Sequence, residues 1–292
     1  MNRFHSPLRY PGGKGKLAPF IRVLIEENRL TDGHYAEPYA GGASVALDLL
    51  FNEYVRHIHI NDLDRSVFAF WHSVVNEPDA LCKRIEQCPL TPEEWRRQRT
   101  IQEAKAAADL LSLGFSTFYL NRTSRSGIVS SAGMIGGNNQ SGRWKIDARF
   151  NRDELVRRIR RVAEARELIT VTNLDAAEFI AEMASTLPER SLTYLDPPYY
   201  VKGQRRLYAN YYKGADHAEI AGLLESYPHC WIVSYDYAPE ILELYQAHRC
   251  LVYGLQYSAA ERYEGAEAMF FCHQVRIPSM VGRVGPSVTI HE

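Results

Sequence analysis

The sequence predicts an α/β protein interrupted by one long basic insertion. Three observations carry this expectation. A strand, a glycine turn, a helix and a second strand follow one another between residues 35 and 61, which is the opening of a βαβ unit. The same alternation resumes after residue 152, with apolar strand-like runs at 168–172, 192–195 and 231–234. Between these halves, residues 76–150 lose the pattern and become helical, then rich in Asn, Ser, Gly and Arg.

Taken in order, residues 16–28 carry a helix pattern, 35–37 a strand, 39–42 a small-residue turn and 44–51 a helix. His-Ile-His-Ile-Asn at 57–61 alternates polar and apolar as a strand does, and a helix starts near Asp64. Residues 92–113 predict one charged helix with Pro92 near its first turn. The stretch 120–145 is too polar for a core element and too long for a simple connection, so it is expected to be a functional or disordered loop. A basic helix follows at 152–166, then helices at 216–226 and 239–247. Residues 251–257 and 268–275 predict a final antiparallel pair. The expected organisation is a discontinuous catalytic domain (1–75 and 151–276), an insertion (76–150) and a flexible tail (277–292).

Bulk properties narrow the class. A chain of 292 residues can bury a core without cross-links. Its five cysteines are scattered and nowhere paired as C-x-x-C, which fits a reducing, cytoplasmic setting and no structural zinc. The first residues contain no apolar signal segment, and no apolar run reaches membrane-spanning length. The ten histidines show no metal-ligand spacing, so no metal is expected. A net charge of −1 neither favours nor excludes a polyanionic partner.

Four motifs carry chemistry. The first is Leu192-Thr-Tyr-Leu-Asp-Pro-Pro-Tyr199, an apolar strand running into D-P-P-Y. The prolines end the strand and fix the turn. The Asp196 carboxylate and the Pro197 carbonyl then offer two acceptors at the carboxyl end of a strand, where α/β proteins bind ligands. A planar amine is a poor nucleophile because its lone pair is delocalised. Two acceptors that hold both its hydrogens favour a tetrahedral nitrogen, and the carboxylate stabilises the positive charge that develops there. Tyr199 offers a ring on which a base can stack. Adenine, cytosine and glutamine amines all suit this chemistry.

The second motif, Glu37-Pro-Tyr39-Ala-Gly41-Gly42-Ala-Ser44, lies between a strand and a helix, where glycines allow close approach of a ligand. Asp62 ends the next strand, at a spacing suited to ribose hydroxyls. The third, residues 7–16, places Lys14 on a glycine loop before a helix but lacks P-loop spacing. The fourth is the insertion, in which Arg122, Arg125, Arg143, Lys145, Arg149 and Arg152 lie among Gly, Ser, Asn and one Trp, a composition suited to phosphate and base-edge contacts. Tyr208, Tyr211 and Tyr212 suit either a nucleic-acid groove or core packing.

In this order the motifs resemble the Dam-type (D12 class, α-group) DNA adenine-N6 methyltransferases over nearly the whole chain. The resemblance implies a seven-stranded, Rossmann-like methyltransferase sheet with an inserted target-recognition segment. It implies S-adenosyl-L-methionine as methyl donor and double-stranded DNA as substrate, its adenine flipped out of the helix. By analogy Asp196, Pro197 and Tyr199 are catalytic. Tyr10, Lys14, Glu37, Tyr39, Gly41, Gly42, Asp62, Asp175 and Asp196 line the cofactor, and Asn121, Arg122, Arg125, Ser126, Ser130, Arg143 and Lys145 face DNA. A monomer or weak dimer with no obligatory protein partner is expected. Asp196, rather than Asn or Ser, points to adenine. One departure concerns specificity: members that methylate GATC carry an aromatic residue and a base-reading arginine where this chain has Arg125 and Ser130, so that specificity does not carry over. A catalytically silent DNA-binding protein on the same scaffold is the rival reading.

Overall fold

Parallel strands need crossover connections, and the first five strands, joined through helices, pair in parallel. The computed structural model describes residues 5–9, 14–200, 214–255, 265–278 and 288–291. Within them β1 (Gly33–Glu37), β2 (Val55–Asn61), β3 (Ile169–Thr172), β4 (Ser191–Leu195), β5 (Cys230–Asp236), β6 (Arg249–Leu255), β7 (Gly265–Phe271) and β8 (Val288–His291) form one sheet. The order is β3-β2-β1-β4-β5-β7-β6-β8. Strands β1 to β5 are mutually parallel, and β7 is inserted antiparallel between β5 and β6. The first seven strands are the Rossmann-like sheet that the resemblance implied. The eighth corrects the expected flexible tail: Val288–His291 pairs along the edge of β6. Upstream, Asn28 holds the backbone of Arg276 in a reciprocal pair of hydrogen bonds, at 2.9 and 2.7 Å.

The helices are α1 (Ala18–Glu27), α2 (Ser44–Phe51), α3 (Arg65–Asn76), α4 (Pro78–Gln87), α5 (Pro92–Glu103), α6 (Leu110–Thr123), α7 (Arg152–Glu164), α8 (Ala176–Thr186), α9 (Gly214–Glu225) and α10 (Pro239–Leu244). Several start where the sequence places a capping oxygen. Asp64, Thr91, Asp109, Asn151 and Asp175 each accept a backbone N–H of the first turn, a contact that typically stabilises a helix by about 1 kcal/mol.

Two expectations about the insertion are corrected. The single helix expected over 92–113 is two helices, because Asp109 caps a new one and Arg65 holds the connection through the carbonyls of Lys105 and Ala108. The polar stretch also does not begin outside the core: α6 continues to Thr123, and Asn121, Arg122, Thr123 and Ser124 are all buried. Burial is tolerated because each polar side chain finds a partner. The Thr123 hydroxyl donates to the Tyr119 carbonyl, and Trp95 Nε1 donates to Ser124 Oγ. Helix α6 crosses α3 so closely that a Cβ on Gly114 would meet the Ala69 carbonyl at 2.5 Å. Phe118 stacks on Phe70 there, so the insertion shares the main core.

The strand order has one consequence for function. The chain moves outward from β1 to β3, then returns to the other side of β1 with β4. The crossovers diverge there and leave a crevice at the carboxyl ends of β1 and β4. Glu37 ends β1 and Asp196 follows β4.

Candidate active site

Three strand ends and one loop build the crevice. Asp196 follows the wholly buried β4, and its Oδ1 accepts from Ser234 Oγ on β5 at 3.0 Å. Ser234 is in turn bonded to the Tyr194 hydroxyl at 2.8 Å. Because β7 runs antiparallel, its early residue Glu267 reaches this same end of the sheet, opposite Asp236 of β5 and Tyr253 of β6. Lys14 enters from the N-terminal loop. Its Nζ lies 2.8 Å from Glu267 and 3.4 Å from Asp196 Oδ1, and it donates to the Tyr199 hydroxyl. Tyr199 donates to Glu267 Oε1 at 2.5 Å.

Lys14, Glu267 and Tyr199 are buried, and Asp196 is a quarter exposed. The cluster holds two carboxylates against one ammonium. Burial opposes the Lys14 charge, but Asp196 and Glu267 outweigh it and hold its pKa above the ordinary lysine value. Burial and the Glu267 charge push Asp196 up to about 6 against the pull of Lys14 and Ser234. Asp196 is therefore mostly ionised at neutral pH yet close to taking a proton. Its second oxygen, Oδ2, accepts no hydrogen bond among the described residues.

The neighbouring rim is made by β1 and β2. Glu37 accepts from the Tyr35 hydroxyl at 2.8 Å, and burial pushes its pKa up to about 8. Asp62 Oδ2 accepts the Gly41 N–H at 2.9 Å, and burial pushes Asp62 up to about 7. Trp71 Nε1 donates to the Gly41 carbonyl, so the glycine turn is pinned from both sides. Gly41 and Ala43 both have positive φ, at 46° each. An alanine there is strained, and it directs the turn into α2. Buried Asn61 ties the ends of three strands together through Pro38, Thr172 and Leu174.

The structure brings Lys14, Glu37, Gly41, Gly42 and Asp62 to the carboxyl edge of the sheet with Asp196 and Tyr199. Tyr39 lies in the same turn, half-buried against the core. Asp175 follows β3 and caps α8 through the Ala177 N–H at 2.9 Å. Tyr10 lies outside the described residues, as do Tyr208, Tyr211 and Tyr212. Sequence reasoning missed Glu267 and Ser234. No motif surrounds Glu267, although a lone acid at the start of an apolar run, Glu-Ala-Met-Phe-Phe, is a charge that folding must place somewhere.

Two expected DNA contacts are corrected. Asn121 is buried, donates to the carbonyls of Arg9 and Gly127 at 2.7 and 2.8 Å, and accepts the Arg9 N–H at 2.7 Å. Arg122 is buried and donates to the Pro7 carbonyl. Burial, with the charges of Arg158 and Arg9, lowers its pKa to about 9. Both side chains are consumed in fastening residues 7–9, the approach to Lys14, onto α6. Gly127 completes the joint: its φ is +77° and a Cβ there would meet the Arg9 carbonyl at 2.4 Å. Arg125, Ser126, Ser130, Arg143 and Lys145 are exposed. Lys145 donates to the Gln140 carbonyl and so braces its own loop.

Among solved structures, the chain is similar to a putative methyltransferase, yhhF, from Escherichia coli (12% identity, 90% of each chain, TM-score 0.35). It is also similar to the rRNA methyltransferase aviRa from Streptomyces viridochromogenes (14% identity, 86% of this chain and 82% of that one, TM-score 0.33). A search of curated protein sequences finds no match. The model of the D12 class N6 adenine-specific DNA methyltransferases matches residues 10–259. That span holds Lys14, the glycine turn, the insertion and D-P-P-Y. With the crevice in place at the strand reversal, the protein belongs to the D12 class N6 adenine-specific DNA methyltransferase family.

Proposed function

We propose that the enzyme methylates N6 of an adenine flipped out of double-stranded DNA, using S-adenosyl-L-methionine. The observation that carries this reading is the Asp196 carboxylate: it stands at the strand reversal, braced by Ser234 and Lys14, with one oxygen open among the described residues. The β1–β2 rim suits the cofactor. Glu37 and Asp62 are carboxylates held near neutrality by burial, beside a turn whose backbone a ligand can approach. Glu37, the Gly41–Gly42 turn and Asp62 would hold S-adenosyl-L-methionine, and Asp175 lies where β3 would border it. When bound it supplies an electrophilic methyl group.

The chain's own residues then have separable tasks. Asp196 Oδ2 and the Pro197 carbonyl accept the two amine hydrogens and orient the nitrogen lone pair. The Asp196 charge stabilises the cation that forms on nitrogen. With its pKa near 6, Asp196 is also the group placed to take the departing proton and pass it to water. Lys14 and Glu267 hold the Tyr199 hydroxyl and so set the ring against which the base stacks. Arg125, Ser126, Ser130 and Arg143 lie exposed on the insertion and would contact DNA.

Transfer of a labelled methyl group to duplex DNA, followed by nucleoside analysis, tests the reading. N6-methyladenine is expected. N4-methylcytosine, or no label in any duplex, overturns it.

A further inference from the structure

Four large apolar side chains are exposed among the described residues, and Trp144 is the most exposed of them at 58%. It sits on the insertion in a loop that is internally tied. Gln140 Nε2 donates to the carbonyls of Ile135 and Gly137, its Oε1 accepts the Ile146 N–H, and Gly142 N–H donates to the Gly136 carbonyl. Met134 and Ile146 anchor the loop in the interior. The loop is therefore built to hold an indole in solvent, at a cost in exposed apolar surface of about 25 cal/mol per Å².

Two cations flank the ring. The guanidinium carbons of Arg143 and Arg149 lie 5.4 and 5.9 Å from its centre. Arg9 stands beside Arg149, close enough for the two charges to repel, and its buried Nη1 has no hydrogen-bond partner among the described residues. None of these three guanidiniums forms an ion pair among the described residues. Elsewhere the chain pairs such groups readily, as in Arg97–Glu94 and Arg158–Glu154. An aromatic face beside cations that have no carboxylate partner among the described residues matches a ligand that alternates flat rings with anions, which is a nucleic-acid strand. A lipid surface or an apolar protein partner would call for more than the single exposed large apolar side chain that this loop carries.

We propose that Trp144 is a base-stacking platform for the substrate DNA, with Arg143 and Arg149 taking the phosphates beside it. The proposal rests on the DNA reading given above. It assigns to the insertion a contact that depends on ring faces and so tolerates any sequence, separate from whatever reads the recognition site.

Tryptophan emission tests it, since Trp71 and Trp231 are buried and Trp95 is partly buried. The full chain is titrated with a short mixed-sequence duplex and with one of its single strands. Quenching and protection from acrylamide are expected on binding. Trp144→Phe should abolish that signal while leaving affinity nearly unchanged. Trp144→Ala should weaken binding about five-fold or more, the low end for one base–aromatic stack. Arg149→Gln should lower the slope of log affinity against log salt by about 1. A signal that survives in Trp144→Phe, or a Trp144→Ala protein that binds as the parent does, overturns the platform. If such a protein still methylates duplex DNA, the catalytic reading stands. If the parent neither binds nor methylates DNA, both fall.

Discussion

The crevice at the strand reversal and the tip of the insertion are both rich in charge, and they treat it in opposite ways. In the crevice Asp196 and Glu267 both lie within 3.4 Å of the Lys14 ammonium, and the three are largely closed off from water. On the insertion Arg125, Arg143 and Arg149 are exposed and lack a carboxylate partner among the described residues. A buried cluster in which each carboxylate is paired with the same ammonium holds its geometry before any ligand arrives. An exposed set of unpaired cations waits for a polyanion to complete it. On the proposed function, the chemistry is thus pre-built and the docking surface is left open. Arg122 shows that position, not residue type, assigns a side to each group: it belongs to the basic stretch, yet it is buried and spent on the Pro7 carbonyl.

The comparison breaks most decisively at Asp196. Asp196→Ala should lower kcat by about 10²–10³-fold or more, the range seen when one preorganised electrostatic group is lost. DNA affinity should stay near the parent's. Steady-state methylation and a gel-shift titration measure the two. If turnover survives within tenfold, the crevice does not hold the chemistry.

Glu267→Gln sharpens it. The swap keeps shape but removes one buried anion, so Lys14 and Tyr199 lose a charged partner. A loss of about tenfold in kcat corresponds to about 1.4 kcal/mol of positioning. The diagnostic readout is the pH profile. Asp196 must be ionised, so kcat/KM in the parent should fall as pH drops through about 6. Glu267 helps to hold Asp196 up, so its neutralisation should move that acid limb to lower pH. A purely structural role would lower the rate and leave the limb in place.

Glu37 gives a smaller effect. Its pKa of about 8 means that it is mostly protonated at pH 7 in the free protein. A cationic cofactor favours the ionised form, so cofactor affinity should rise with pH up to about 8, by at most tenfold per unit, and then level off. Calorimetry in buffers of different ionisation enthalpy should show proton release, and Glu37→Gln should flatten both signals. Stability runs the other way. A carboxyl whose pKa is raised by folding stabilises the fold below its ordinary value of 4.5, and that contribution is lost as pH rises towards 8. Melting temperature should therefore carry a component that falls across this window.

The smallest changes are expected at the tip. Arg125→Gln and Arg143→Gln should each weaken DNA binding a few-fold at moderate salt and reduce the salt slope by about 0.9. Turnover at saturating DNA should not change. A fall in kcat would mean that the insertion enters the crevice.

Much of this was legible in the sequence, for local reasons. The helix over 44–51, the parallel strands and the final antiparallel pair follow from hydrophobic period and turn residues. D-P-P-Y and the glycine turn are contiguous, so their chemistry can be read without knowing the fold. The insertion resisted reading because its polar residues are not all alike. Asn121 and Arg122 satisfy backbone groups more than a hundred residues away, at Arg9 and Pro7, and no local pattern records such a partner. The break between α5 and α6 and the edge strand β8 escaped for the same reason: Arg65 and β6, distant in sequence, decide them.

The sequence by itself pointed to the reaction class, because the groups proposed to act on the amine are neighbours in the chain and their spacing is covalent. Only the tertiary structure decided which charges are buried with partners and which are offered to a ligand. Glu267 reaches Asp196 because β7 runs backwards between β5 and β6, and Trp144 stays in solvent because a loop of internal hydrogen bonds holds it there. Burial and pairing are sums over contacts from distant segments, so they exist only once the chain has folded.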